Sequence, residues 1–175
     1  MKKLLIYAAI ALVGIFLSGC PDFIGTQLLI DYRADGFVTG NLDMGGTFVD
    51  LSENEDFAEH QYDIIAIDHA EMGAVITNHS DHPASGEIWV TLSEVNTEAD
   101  LREYGELVYT SDEIASGATI SISLQPSVDH SSLLASGLWI GEFYVYGLCD
   151  QDEYNLDMDV HLQIMFYLNP EAEVD

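Results

Sequence analysis

Imidazoles and carboxylates are the side chains in this sequence whose spacing offers chemistry. His79-Ser-Asp81-His82 sets two imidazoles three residues apart around a carboxylate, a string that can reach one zinc or copper ion in a turn. Asp150-Gln-Asp152-Glu153 gathers three carboxylates in a turn-like stretch, with Asp157 and Asp159 following on one strand face. Asp50, Glu53, Glu55 and Asp56 form a second acidic group. Oxygen-only clusters suit calcium, which takes about six to eight oxygens in irregular geometry. Asp150, Asp152 and Glu153 are therefore the candidate calcium ligands, although neither group has the Gly and Glu placement of an EF-hand. His60, His69, His130 and His161 are scattered, and the methionines form no copper-binding tract.

Catalysis has less to work with. The chain contains no Gly-x-Ser-x-Gly elbow, no phosphate-binding glycine loop and no dinucleotide fingerprint. No enzyme activity is expected, and no cofactor beyond a calcium ion in the acidic loop. Nucleic acid is excluded as a partner on charge: 175 residues carry only 4 Lys+Arg against 31 Asp+Glu, a formal charge of −27. With 48% hydrophobic and 10% aromatic residues the chain is still far too apolar for a disordered acidic tail, and its length suits one domain.

The elements that must position these residues begin with an address. Met1-Lys2-Lys3 is a short positive start, Leu4 to Phe16 is an uncharged and mostly apolar run, and Leu17-Ser18-Gly19-Cys20 closes it. A charged start, a short apolar stretch and small residues at the cut define a secretory signal peptide, here 1–19. The run is shorter than the roughly 20 residues a membrane-spanning helix needs.

Leu17-Ser18-Gly19-Cys20 resembles the lipobox of bacterial lipoproteins. The resemblance implies that Cys20 becomes the lipid-modified first residue of the mature chain, which would then be held to a lipid bilayer by its N-terminal acyl chains. Residues 20–26 would form the lipidated tether, with about 20 Å of extended reach. The expected location is the bacterial cell envelope, on the periplasmic or cell-surface side of a membrane. Loss of the signal also removes both lysines, leaving Arg33 and Arg102 against all 31 acids, a charge of 2 − 31 = −29. Such a surface repels anionic headgroups, so acyl chains rather than a basic patch must do the anchoring. High external salt would screen the repulsion, and an acidic, lysine-poor surface suits such a habitat. With Cys20 lipidated, Cys149 has no partner in the chain; a buried thiol is expected.

Hydrophobicity in the mature chain alternates with a period of two. From Tyr154 to Leu168 apolar residues occupy every second position, opposite Asn155, Asp157, Asp159, His161 and Gln163. Ala118 to Leu124 alternates as cleanly, and Gly86–Ser93 and Gly137–Leu148 are β-branched and aromatic runs. Weaker strands are expected at Gln27–Arg33, Gly36–Gly40, Thr47–Leu51, Tyr62–His69, Ala74–Asn78 and Gly105–Thr110. Short helical turns are expected at Asn96–Arg102, capped by Thr97, and at Ser127–Ser136, ended by Gly137. Eight to ten short strands with so little helix predict an all-β antiparallel sandwich over 27–170, followed by an acidic tail, 171–175. Gly137–Leu168 reads as its closing hairpin, with Cys149–Glu153 as the loop.

Ala74-Val-Ile-Thr-Asn-His-Ser, then Ser85-Gly-Glu-Ile-Trp-Val-Thr-Leu and Ser116-Gly-Ala-Thr-Ile-Ser-Ile, resemble strands of bacterial immunoglobulin-like modules. The likeness covers 74–168, implies an immunoglobulin-like sandwich, and lacks the antibody Cys–Trp–Cys pattern. The function expected from these features is a non-enzymatic structural or binding module of the envelope, with an envelope protein as partner. The alternative is a calcium- or transition-metal-dependent protein for a small ligand or glycan. Tyr144 and Tyr146, on the face opposite Phe143 and Val145, are the rings a sugar would stack on, or simply packing.

Overall fold

A computed structural model describes residues 27–38, 44–128, 131–149 and 156–169, with side chains placed from 27–33 in the first of these. Cys20 and the acidic residues Asp150, Asp152 and Glu153 lie outside the described residues, as do the signal segment, tether and tail.

The described residues form eight strands: β1 (Gln27–Val38), β2 (Met44–Asp50), β3 (Ile64–Asn78), β4 (Gly86–Thr91), β5 (Glu106–Thr110), β6 (Thr119–Leu124), β7 (Glu142–Cys149) and β8 (Leu156–Leu168). They make two four-stranded antiparallel sheets, ordered β1-β8-β3-β6 and β2-β7-β4-β5. Strand n pairs with strand 9 − n in every case: β1 with β8, β2 with β7, β3 with β6 and β4 with β5. The chain thus resembles one long antiparallel ribbon folded back on itself, its turns stitched by the β3–β8 and β4–β7 ladders. That winding is the jelly-roll form of the sandwich. The all-β sandwich is as expected, while the strand order is not the ABED/CFG order of immunoglobulin domains.

Several elements run longer than sequence periodicity indicates. Ala34-Asp35-Gly36, which reads as a turn, is a register shift inside the single strand β1. The two weak runs at 62–69 and 74–78 join into the 15-residue β3. Bulges between Ile64 and Ala66 and between Ile67 and His69 break the alternation there, and the small Ala70 and Gly73 conceal its continuation. The expected closing hairpin does not form, because β7 and β8 belong to different sheets. Its first residues are instead helical.

Among the described residues three short α-helices are present, α1 (Glu55–His60), α2 (Glu98–Tyr104) and α3 (Leu133–Ile140), with a single 3-10 turn at Leu51–Glu53 before α1. The second follows its Thr97 cap as expected, the Thr97 side chain accepting from Asp100 N–H. The third starts later than expected because Ser132 caps it and the Glu106 carboxylate accepts from Leu133 N–H. It ends at Gly141, whose φ of +86° favours glycine and whose N–H bonds Gly137 O. The first helix absorbs an acidic group that looked like an ion site. Asp50 accepts from Ser52 N–H, Asn54 accepts from Phe57 N–H, and Glu55 and Asp56 occupy the first turn of α1, where the helix dipole favours carboxylates.

The sandwich interior is filled from both sheets by Ile30, Met72, Ile76, Val90, Phe143, Val145, Leu162, Ile164 and Phe166, each nearly or fully buried. Burying such a side chain contributes about 1.5–3 kcal/mol. Strand β8 buries every second residue from Leu156 to Leu168, as its alternation predicts. A second, smaller cluster lies on the outer face of the β2-β7-β4-β5 sheet, where Leu101 of α2 covers Trp89, Tyr146 and Leu148.

Candidate functional site

The imidazoles predicted to share an ion are separated onto different carboxylates. His79 Nε2 lies 2.7 Å from Asp157 Oδ2, and His82 Nδ1 lies 2.5 Å from Asp81 Oδ1. A third pair joins His161 Nε2 to Asp31 Oδ1 at 2.6 Å across the β1–β8 ladder. Asp31 and Asp81 are both held below the usual carboxylate range, in each case chiefly by the hydrogen bond to the histidine. All three pairs are at or near the surface. Among the described residues no group of three His, Cys, Asp or Glu side chains converges as metal ligands.

Beneath the His79–His82 string sits Asn78, fully buried at the end of β3. Its amide donates to Ile114 O at 2.9 Å and to His82 O at 3.0 Å, while its carbonyl oxygen accepts from Ser80 N–H at 2.9 Å. The backbone of Asn78 adds bonds to Ala118 and Gly117. The backbone of this loop therefore folds around a structural asparagine. Cys149 is buried as expected, its thiol 3.3 Å from Ser85 O.

The tyrosines have divided roles. Both project from the outer face of β7, but Tyr146 is only 5% exposed, and its phenol accepts from Val95 N–H at 2.9 Å. Its ring lies over Gly46 on β2, where a Cβ would fall 2.4 Å from the ring, so glycine there is required by the close approach. Burial pushes the Tyr146 phenol up. Tyr144 stacks on Tyr146 at 6.1 Å and 18°, and Phe48, 44% exposed, tilts against Tyr144 at 4.8 Å. Trp89 completes the face from β4, its indole N–H donating to Glu87 at 2.9 Å. Arg102 lies 5.5 Å over the Trp89 ring and pairs with Glu87 at 3.2 Å and Glu98 at 2.7 Å. Tyr146 and Trp89 thus hold structure, while Phe48 and Tyr144 leave an aromatic surface in reach of solvent. Phe48 was not legible as a partner of Tyr144, because the two are joined by the β2–β7 register and not by sequence spacing.

The outer face of the opposite sheet is mixed, with Leu29, Ile65 and Val75 exposed beside polar and charged residues. A shallow depression of about 490 Å³ is centred on Gly73 and edged by Arg33, Ser121, Asp159 and His161. Gly73 faces His161 across the ladder, and His161 faces Arg33, so the three form one row over β3, β8 and β1.

No family model matches this chain, and no curated protein does. Among solved structures it is similar to a chain of broad bean stain virus, at 14% identity over 89% of this chain with a TM-score of 0.43. The match spans 48% of that viral chain, about half its length. A chain of Desmodium yellow mottle tymovirus is similar at 14% identity over 89% of this chain and 98% of its own, with a TM-score of 0.30. Neither likeness is strong enough to carry an argument about function.

Proposed function

We propose that this protein is a lipid-anchored, non-enzymatic binding module of a bacterial cell envelope. The observation that carries the reading is Leu17-Ser18-Gly19-Cys20, which ends an apolar leader and stands a few residues before β1. Acyl chains on Cys20 would tether the sandwich close to a bilayer, and two or more chains suffice for stable anchoring at about 0.8 kcal/mol per buried methylene. The exposed Phe48–Tyr144 surface supports a binding role, since aromatic faces are enriched where proteins meet partners. The functional groups described above are committed to caps, ladders and surface pairs, and none forms a nucleophile–base array. No helix among the described residues is long and apolar enough to cross a membrane.

Expression of the full chain in a bacterium with an alkyne-tagged palmitate tests the reading. The wild type is expected to take up the label and to partition into the detergent phase on cloud-point separation, and Cys20→Ser to lose both. A chain that is exported without label, or a Cys20→Ser variant that keeps it, would overturn the proposal.

A further inference from the structure

One cleft in the molecule combines apolar walls, an acidic rim and walls fixed by hydrogen bonds to the sheet. It has a volume of about 450 Å³ and lies between the segment after β4, the helix α2 and the start of α3. Its apolar surface comes from Leu92, Val95, Tyr104 and Leu133, of which Leu92 is 38% and Tyr104 60% exposed. Glu94 and Asp100 line it with carboxylates, and Glu103 adjoins Tyr104. The volume falls within the roughly 300–1,000 Å³ usual for ligand pockets.

The walls are built rather than loose. Val95 N–H is held by the Tyr146 phenol, Thr91 Oγ1 donates to Ser93 O at 2.7 Å, and Thr97 caps α2. The Glu106 carboxylate holds Ser132 Oγ at 3.1 Å, fixing the end of α3 that carries Leu133. Pre-set walls lower the ordering cost of docking.

Charge selects the occupant. Arg102 is engaged by Glu87, Glu98 and Trp89, Arg33 lies in β1 on the other sheet, and the only lysines precede Cys20. No cation therefore lines this cleft. A second copy of the chain would bring another formal −27 to the surface, so self-docking is opposed. A lysine or arginine side chain satisfies both features at once: its aliphatic stem packs on Leu92, Leu133 and the Tyr104 ring, and its charge meets Glu94 and Asp100. We infer that this cleft docks a basic, leucine-flanked peptide segment of a partner protein, anchored by one cationic side chain. The inference gives the binding-module reading a partner class but does not depend on the lipid anchor, so loss of acylation in Cys20→Ser leaves it standing.

The test is isothermal titration of the full chain in neutral detergent micelles at 0.15 M NaCl, with protein-free micelles as the reference. The probes are acetyl-Leu-Lys-Leu-amide and acetyl-Ser-Lys-Ser-amide, which carry the same charge. The leucine peptide is expected to bind at least tenfold more tightly than the serine peptide. Glu94→Gln and Tyr104→Ala should each weaken it by about tenfold, both positions being exposed enough to leave the fold intact. Glu55→Gln, on the distant α1, should leave affinity unchanged. Equal binding of the two peptides would reduce the effect to general attraction by an acidic surface and overturn the inference. So would no binding, or wild-type affinity in both cleft variants. Sedimentation showing self-association lost in Tyr104→Ala would replace the partner with a second copy.

Discussion

The Tyr146 phenol accepts a hydrogen bond from Val95 N–H at 2.9 Å, tying the segment after β4 to the outer face of β7 across 51 residues of sequence. This bond joins the smaller apolar cluster to the cleft wall, so the two are one unit. Removing the hydroxyl in Tyr146→Phe strands a buried donor, and such a loss costs about 1–3 kcal/mol. Urea unfolding should show the loss, and hydrogen exchange at Val95 should quicken more than exchange in β8. Because burial raises the folded phenol above the ordinary tyrosine value, the unfolded chain ionises first. This contribution is complete below about pH 10 and is lost as pH rises through the folded value. Tyr146→Phe should flatten that alkaline decline.

Asn78 bridges neighbouring segments through five hydrogen bonds, three from its side chain and two from its backbone. Asn78→Ala removes three side-chain hydrogen bonds at once, those with Ile114 O, His82 O and Ser80 N–H, at a fully buried position. A loss of about 2–4 kcal/mol is expected, at the upper end for a single buried polar group because several bonds go together. At this chain length about 1 kcal/mol shifts Tm by about 2–4 °C, so calorimetry should register a fall near 10 °C. His79→Ala and His82→Ala, which remove exposed imidazoles paired with exposed carboxylates, should each shift Tm by no more than about 2 °C. A larger loss in the histidine variants than in Asn78→Ala would reverse the assignment of this loop as a structural knot.

Strand positions were legible where the pattern of period two ran unbroken, as in β6 and β8, since one buried face dictates that period. Legibility failed where long-range packing replaced a local rule. The bulges in β1 and β3 shift the phase of the alternation, so a single strand reads as two. The helix over residues 133–140 was expected to stop at Gly137, where a strand reads as beginning, yet a carboxylate from β5 and two caps carry it through to Ile140. Apolar composition cannot separate those outcomes over eight residues. Strand order was hidden for the same reason: which hairpins a sandwich uses depends on pairings as distant as Gln27 with Tyr167, 167 − 27 = 140 residues apart. The acidic groups were visible as groups, but Asp50, Glu55 and Asp56 serve caps and a helix dipole, roles that need the backbone geometry to be seen. The aromatic face was half legible: Tyr144 and Tyr146 alternate with the core, while Phe48 and Trp89 reach them only through the sheet.

Asp31 titrates below the ordinary carboxylate range because His161 hydrogen-bonds it across the β1–β8 ladder. A depressed folded value stabilises the protein above the unfolded pKa near 3.9, and the contribution disappears as pH falls through the folded value. Both groups are solvent-exposed, so the effect on global stability is small. The readable quantity is local. Carbon-detected NMR should place the Asp31 midpoint below that of an unpaired surface aspartate, and His161→Gln should bring it up towards the ordinary value. An Asp31 midpoint unmoved by His161→Gln would mean that another group holds the carboxylate.

The chain's formal charge of −27 predicts how stability responds to ions. Like charges on one small surface repel in the folded state and separate on unfolding, so screening favours the fold. The Debye length falls from about 10 Å at 0.1 M to about 3 Å at 1 M salt, a change that spans the distances between neighbouring surface carboxylates. Raising NaCl over that range should therefore raise Tm by several degrees. Screening depends on ionic strength and not on ion identity, so 1 mM calcium against EDTA at matched ionic strength should change nothing. A resident calcium would behave otherwise, since a ligand at about 100 times its Kd stabilises by about 2.7 kcal/mol whatever the background salt. A calcium-specific rise of several degrees, removed by Asp150→Asn with Asp152→Asn, would place an ion in the acidic segment before β8. Response to NaCl alone would identify the carboxylates as a surface adapted to salt, and the calcium reading of the acidic segment would fall.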